Sequence, residues 1–146
     1  MKKNAITVEV FINAPIETVW QCWTEPRHIL QWNQPSADWC TSRVDNDLRS
    51  GGAFLFVMEA KDRSAGFDFQ GVYDEVVTHQ LISYTLTDGR KTVNLFARSG
   101  SGTTITETFE PTEGLPEQDQ QAFCAGVLET FRNYAEVQGR PASSEV

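Results

Sequence analysis

Residues 103–110 read TTITETFE, and the alternation within that run decides where a carboxylate goes. Successive side chains on a strand point to opposite faces, so Thr103, Ile105, Glu107 and Phe109 share one face and Thr104, Thr106 and Thr108 the other. If Ile105 and Phe109 turn to a core, Glu107 turns with them. A carboxylate facing a cavity has its charged form desolvated, which raises its pKa and suits it to acid, base or ligand-anchoring work. The run FDFQGVYDEVV (67–77) sorts in the same way, with Phe67, Phe69, Gly71 and Tyr73 against Asp68, Gln70, Val72 and Asp74. Tyr73 can present its hydroxyl to the same interior, and Tyr84 can do so from the neighbouring strand. Glu107 and Tyr73 are therefore the candidates for catalysis. The ordinary alternatives are an inward threonine face or a wet rim for Glu107, and a core or edge position for the tyrosines.

Other reactive types carry less. Cys22, Cys40 and Cys124 are odd in number, widely spaced and without a Cys-x-x-Cys or paired histidine, so no metal site is expected. They read as reduced thiols packed as small hydrophobes, Cys124 included although it lies on a helix that could face a pocket. His28 and His79 are expected at the surface, and Glu59 is expected solvated. With no Gly-x-Ser-x-Gly elbow and no phosphate loop, nothing points to a triad or to nucleotide chemistry.

Twelve basic residues against twenty acidic ones give a formal charge of -8. Such a field repels phosphate backbones and anionic lipid surfaces, and the basic pieces Lys2-Lys3 and Arg90-Lys91 are too short to track a nucleic acid. Nucleic-acid binding is excluded on that ground. No segment approaches the 18 or so apolar residues of a membrane span, and no apolar run follows the N-terminal lysines, so a cytoplasmic protein without membrane insertion is expected. A chain of 146 residues that is 40% hydrophobic and 22% charged is sized for one core.

The elements that would position Glu107 can be read in order. AITVEVFI (5–12) alternates as a first strand until Asn13-Ala14-Pro15 stops it. Ile16, Val19, Trp20 and Trp23 then fall on one helical face, with Glu17 in the first turn where the helix dipole favours an acid. Thr24-Glu25-Pro26 breaks that helix and can cap a second short one carrying Ile29, Leu30 and Trp32. Three of the four tryptophans fall in this corner because short helices bury little surface each, and large rings make up the area. After a loop and a short strand around Cys40 to Val44, strands follow over 53–60, 67–77, 81–86, 91–98 and 103–110. Asp88-Gly89 and Ser99–Gly102 mark hairpin turns. From Glu117 to Val137 the period becomes helical through Phe123, Val127, Phe131, Tyr134 and Ala135, and Gly139, Arg140 and Pro141 end it. The fold class is thus α+β: a curved antiparallel sheet of six to seven strands wrapped on one long C-terminal helix, with two short helices after the first strand. One domain spans 1–146, its core about 5–137 and its tail, 138–146, flexible. One helix cannot fill a wide curved sheet, so a cavity between the two is expected.

NAPIETVWQCWTEPRHILQW, GGAFLFVM, GVYDEVVTHQLISYT and the final helix with Gly126 together resemble the helix-grip superfamily, START-like and Bet v 1-like. The pattern, over about residues 5–137, is most similar to the branch named for the activator of Hsp90 ATPase. Gly126-Val127 stands where family helices commonly carry Gly-Trp, which shrinks the helix face turned inward. The resemblance implies a pocket for an apolar small molecule and no fixed chemistry, since fold does not settle function. Candidates for its lining are Phe54, Phe56 and Met58 on one strand face. Phe69, Tyr73, Tyr84, Phe96 and Glu107 join them from other strands. Trp32 comes from the second short helix, and Phe123, Val127 and Phe131 from the long one. Burying ~300 Å² of ligand at ~25 cal/mol/Å² gives about 7 kcal/mol before association costs, which sets micromolar binding as the scale. The expected protein is a binder rather than an enzyme, with no cofactor. The alternatives are a cyclase- or dehydratase-like enzyme using Glu107 and a tyrosine, and an Hsp90-type chaperone partner domain. A homodimer is left open.

Overall fold

The computed structural model describes residues 4–34 and 37–139. Lys2, Lys3, Arg140, Pro141 and the remainder of the expected tail lie outside the described residues. The chain runs β1 (Ile6–Ile12), α1 (Ile16–Thr24), α2 (Pro26–Trp32), β2 (Trp39–Asn46), β3 (Ala53–Ala60), β4 (Gly66–Val77), β5 (Leu81–Leu86), β6 (Lys91–Ser99), β7 (Gly102–Phe109) and α3 (Glu117–Gln138). The seven strands form one antiparallel sheet in the order β1-β7-β6-β5-β4-β3-β2. The chain opens on one edge of the sheet, crosses to the other edge through α1 and α2, and returns as a meander of hairpins.

Curvature has local causes. The ladder slips between Thr41 and Arg43 of β2 and between Tyr73 and Glu75 of β4, and a bulge bends its strand and increases its twist. Gly71, in the middle of β4, sits where a Cβ would lie 2.4 Å from the Thr85 carbonyl oxygen and 3.0 Å from the Phe54 ring. Only glycine lets the wall fold in so closely there.

The helices are fixed by rings. Trp23 stacks on Trp32 with centroids 5.3 Å apart, and Phe131 of α3 meets both edge-on, at 4.9 and 4.8 Å. Trp32 Nε1 also donates to the Cys22 carbonyl oxygen at 2.7 Å, tying α2 back to α1. Trp20 packs against Phe96 of β6, and the His79 ring meets its edge from the β4–β5 turn. His79 sits in that turn at φ 65°, and its packing on Trp20 leaves it half-buried rather than at the surface as its sequence position implied.

Two further expectations change. The Thr24 hydroxyl donates to the Trp20 carbonyl oxygen at 2.7 Å inside α1, so it does not cap α2, which starts after Glu25 with Pro26 in its first turn. His28 is buried at 7% exposure and its Nδ1 shares a 2.6 Å hydrogen bond with the Tyr134 hydroxyl of α3. Burial, then the Arg27 guanidinium, hold its pKa below the usual value, so the neutral ring is the form that fits there. The polar tip that looked destined for water instead joins α2 to α3.

In α3 only Leu128, Phe131 and Ala135 are buried, all in its second half, while Phe123 is 57% exposed. Truncating Phe131 to alanine is expected to cost about 3–5 kcal/mol in urea denaturation. The same change at Phe123 is expected to stay within about 0.5 kcal/mol, although both belong to one periodic stripe.

Candidate functional site

α3 packs along β1 and the two short helices, and its buried residues all lie in its second half. Beneath it lies a cavity of about 560 Å³. The strands supply its floor in the alternation the sequence implies. Phe54, Phe56 and Met58 enter from β3, Phe69 and Tyr73 from β4, and Tyr84 from β5. Glu107 enters from β7, Trp32 closes one end, and Phe123 and Val127 hang from α3. Phe54 is the hub of the floor, 5.0 Å from Tyr73 and 5.1 Å from Tyr84 between ring centroids. The rim is apolar too: Phe67 at 50% exposure, Leu115 at 60% and Phe123 all border the cavity.

Two candidates do not reach it. Phe131 is fully buried in the clamp between Trp23 and Trp32, and Phe96 is spent between Trp20 and Trp23. Helical and strand period placed both on inward faces correctly. The faces are shared between a packed core and a hollow, and these two fall on the packed side.

The polar groups gather at one place. Glu107 Oε2 accepts from the Cys124 thiol of α3 at 3.4 Å. Asn94 of β6 lies directly opposite Glu107 in the β6–β7 register and therefore on the same inward face. Burial drives the Glu107 pKa upward, and the hydrogen-bonding influence of Cys124 and Asn94 only partly offsets it. Burial also raises Tyr84, with the nearby Glu107 charge adding to it and a hydrogen bond to Thr92 opposing it. The Cys124 thiol is raised by burial and by the same carboxylate, so its neutral form is favoured and it is no poised nucleophile. Tyr73 is raised by burial as well, while its hydroxyl donates to Asn46 Oδ1. This pole favours uncharged groups that give and take hydrogen bonds. The Cys22 thiol, pushed up to about 11 by burial, sits away in the core.

Sequence reasoning passed over Asn94 and treated Cys124 as inert packing. Strand alternation through Thr92, Asn94 and Phe96 was the available signal for the first. For Leu115, in a loop, there was no periodic signal at all. Among the described residues no cluster of His, Cys, Asp and Glu could hold a metal ion. No helix among them is long and apolar enough to cross a membrane.

A curled seven-stranded antiparallel sheet closed by a long C-terminal helix, with two short helices behind its first strand, defines a helix-grip protein. The chain belongs to the family described as Activator of Hsp90 ATPase homolog 1-like protein, whose model matches residues 13–136. It is similar to the AHSA1-like protein from Aeromonas hydrophila, solved by NMR. The two are 39% identical, with 92% of this chain and 94% of that one covered and a TM-score of 0.87. A protein from Cytophaga hutchinsonii is 47% identical over 92% of this chain and 94% of its own, with a TM-score of 0.81. A Chromobacterium violaceum protein shares the fold at 22% identity, covering 92% and 99% of the two chains with a TM-score of 0.81. None of the curated proteins matches the chain.

Because the folded chain holds the Glu107 proton to higher pH than the unfolded chain, its contribution to stability is complete below the ordinary carboxyl value of 4.5 and is lost as pH rises through the folded value. Glu107→Gln is therefore expected to melt higher than the parent at about pH 8, with the gap closing toward about pH 4.5, in paired thermal melts.

Proposed function

We propose that the protein binds an apolar small molecule in the cavity beneath α3. The observation that carries this reading is the cavity itself. At about 560 Å³ it falls within the roughly 300–1,000 Å³ of small-molecule sites, and its wall is largely aromatic with a few convergent polar groups. The exposed apolar rim of Phe67, Leu115 and Phe123 supports it, since rings left in water beside an apolar hollow mark a binding surface more than a solvated one. Membership of a helix-grip family agrees with it.

Catalysis by Glu107 and Tyr73 draws less support. The Tyr73 hydroxyl is already committed to Asn46, and Tyr73 and Tyr84 are both pushed away from ionisation. An acid–base pair needs groups poised to exchange protons near neutral pH. Both tyrosines favour their neutral forms, which leaves Glu107 without such a partner.

The test is a thermal-shift and native mass-spectrometry screen of uncharged apolar compounds against the purified chain, repeated with Val127→Trp. Val127 faces the cavity from α3, so an indole there occupies ligand space. Compounds that bind the parent are expected to lose at least about tenfold in affinity to the variant. Absence of any retained or added ligand on the parent overturns the reading, as does a ligand whose affinity the indole leaves unchanged.

A further inference from the structure

The two halves of α3 are held differently. From Leu128 onward the helix is seated in the core through Leu128, Phe131 and Ala135, whereas no residue from Glu117 to Gly126 is buried. Open space lies on both flanks of that first half. One is the cavity, faced by Phe123 and Cys124, and the other is a groove against β1, faced by Gln121 and Ala122. The first half touches the sheet through the Cys124 thiol, a weak donor, 3.4 Å from Glu107 Oε2. A segment with so few buried contacts belongs to the low end of local stability.

Gly126 stands at the junction. A glycine inside a helix weakens it relative to alanine, and no packing requires one here, since a Cβ at this position would meet no neighbouring atom within 4 Å. The Thr130 hydroxyl also donates to the Gly126 carbonyl oxygen at 3.1 Å, and helices bend where a side chain enters the main-chain ladder in this way. The other end of the segment is fixed at Glu110. Its backbone N–H donates to the Lys91 carbonyl oxygen at 3.0 Å, and its Oε1 accepts from the Lys91 N–H at 2.7 Å. Between these points Gln120 ties loop to helix. Its Oε1 accepts from the Thr112 N–H at 2.9 Å, and its Nε2 donates to the Thr112 and Leu115 carbonyl oxygens, each at 3.0 Å. Residues 112–125 therefore form one braced unit between a fixed point and a weak point, and they carry Leu115 and Phe123 of the cavity rim.

We propose that residues 112–125 are a lid that swings about Gly126 to admit and release the bound molecule, and that closes on the Cys124–Glu107 contact. The inference rests on the cavity reading above and adds the route into the site. At ~1.5 Å of rise per residue, the helical part of the lid is about 14 Å long. A bend of about 20° carries its tip roughly 5 Å, more than the ~3.5–4 Å contact thickness of an aromatic ring. Opening breaks the thiol contact and exposes little new apolar surface on the lid, because Leu115 and Phe123 already stand in water.

The test separates gate from pocket. Stopped-flow fluorescence follows the uncharged dye Nile red entering and leaving the intact chain, in the parent, in Gly126→Ala and in Asn133→Ala. Alanine at 126 favours the straight helix and meets open space. Association and dissociation are both expected to slow about fivefold, with affinity kept within about twofold. Asn133 is exposed beyond the junction, so alanine there strengthens the helix outside the lid and is expected to leave both rates unchanged. Without dye, amides of residues 117–125 are expected to exchange at least about tenfold faster than those of 128–138, and Gly126→Ala to narrow the gap. Dye bound with rates unchanged in Gly126→Ala, slowing of one rate alone, equal slowing in Asn133→Ala, or uniform protection along α3 each overturns the lid and leaves the cavity reading standing. If the parent takes up no dye, the cavity reading falls and the lid with it.

Discussion

The contact on which the rest of the structure depends is the seating of Phe131 between Trp23 and Trp32. It joins the last element of the chain to the two short helices that follow the first strand, across about a hundred residues of sheet. Its three rings lie within 5.3 Å of one another by centroid, edge-to-face where α3 arrives and stacked between α1 and α2. Such ring pairs add about 0.5–1.5 kcal/mol each beyond the area they bury. The clamp grips the second half of α3, and the fully buried residues of the helix stop there: between Glu117 and Gly126 no residue is buried. The unburied first half, which touches the sheet where Cys124 meets Glu107, roofs a hollow. The cavity is the geometric remainder of where the tryptophans are.

The floor beneath that roof is shaped by backbone as much as by side chains. The bulge at Tyr73/Glu75 bends β4 just where it passes Gly71, and the missing Cβ there lets β5 and the Phe54 ring close in. Phe54 then gathers Tyr73, Tyr84, Phe56 and Phe69 around it. A sheet without those two features would be flatter and would lie closer to α3, trading the hollow for core.

Much of this was legible in the sequence, and the failures share one cause. Periodicity assigns a side chain to a face, and Glu107 was placed inward by the pattern of TTITETFE alone. Periodicity does not say what lies across from that face. Phe131 and Phe123 share one stripe, yet the first lies in the clamp and the second at the cavity rim. Phe96 went the same way as Phe131. His28 shows the complementary error. A polar residue beside Arg27 on a short helix reads as surface, but the arrival of α3 with Tyr134 creates a partner that no local rule anticipates. The Thr24 hydroxyl, expected as a cap, was taken by the Trp20 carbonyl one turn back, a competition that Ser and Thr side chains enter routinely.

Two features that work against stability coincide. A buried amide without a partner costs about 1–3 kcal/mol, and a desolvated carboxyl without a counter-ion carries a penalty of the same kind. Asn94 and Glu107 face each other across one register position, so both penalties fall on one spot at the edge of the hollow. Two other buried donors are satisfied: Thr103 is fully buried and donates to the Ala14 carbonyl oxygen, and the buried Trp32 indole donates to the Cys22 carbonyl oxygen. Natural chains keep local conflicts mainly where a site needs them. Asn94 and Glu107 concentrate this one on a single register position beside the cavity, with Glu107 in its wall and Asn94 packed next to it.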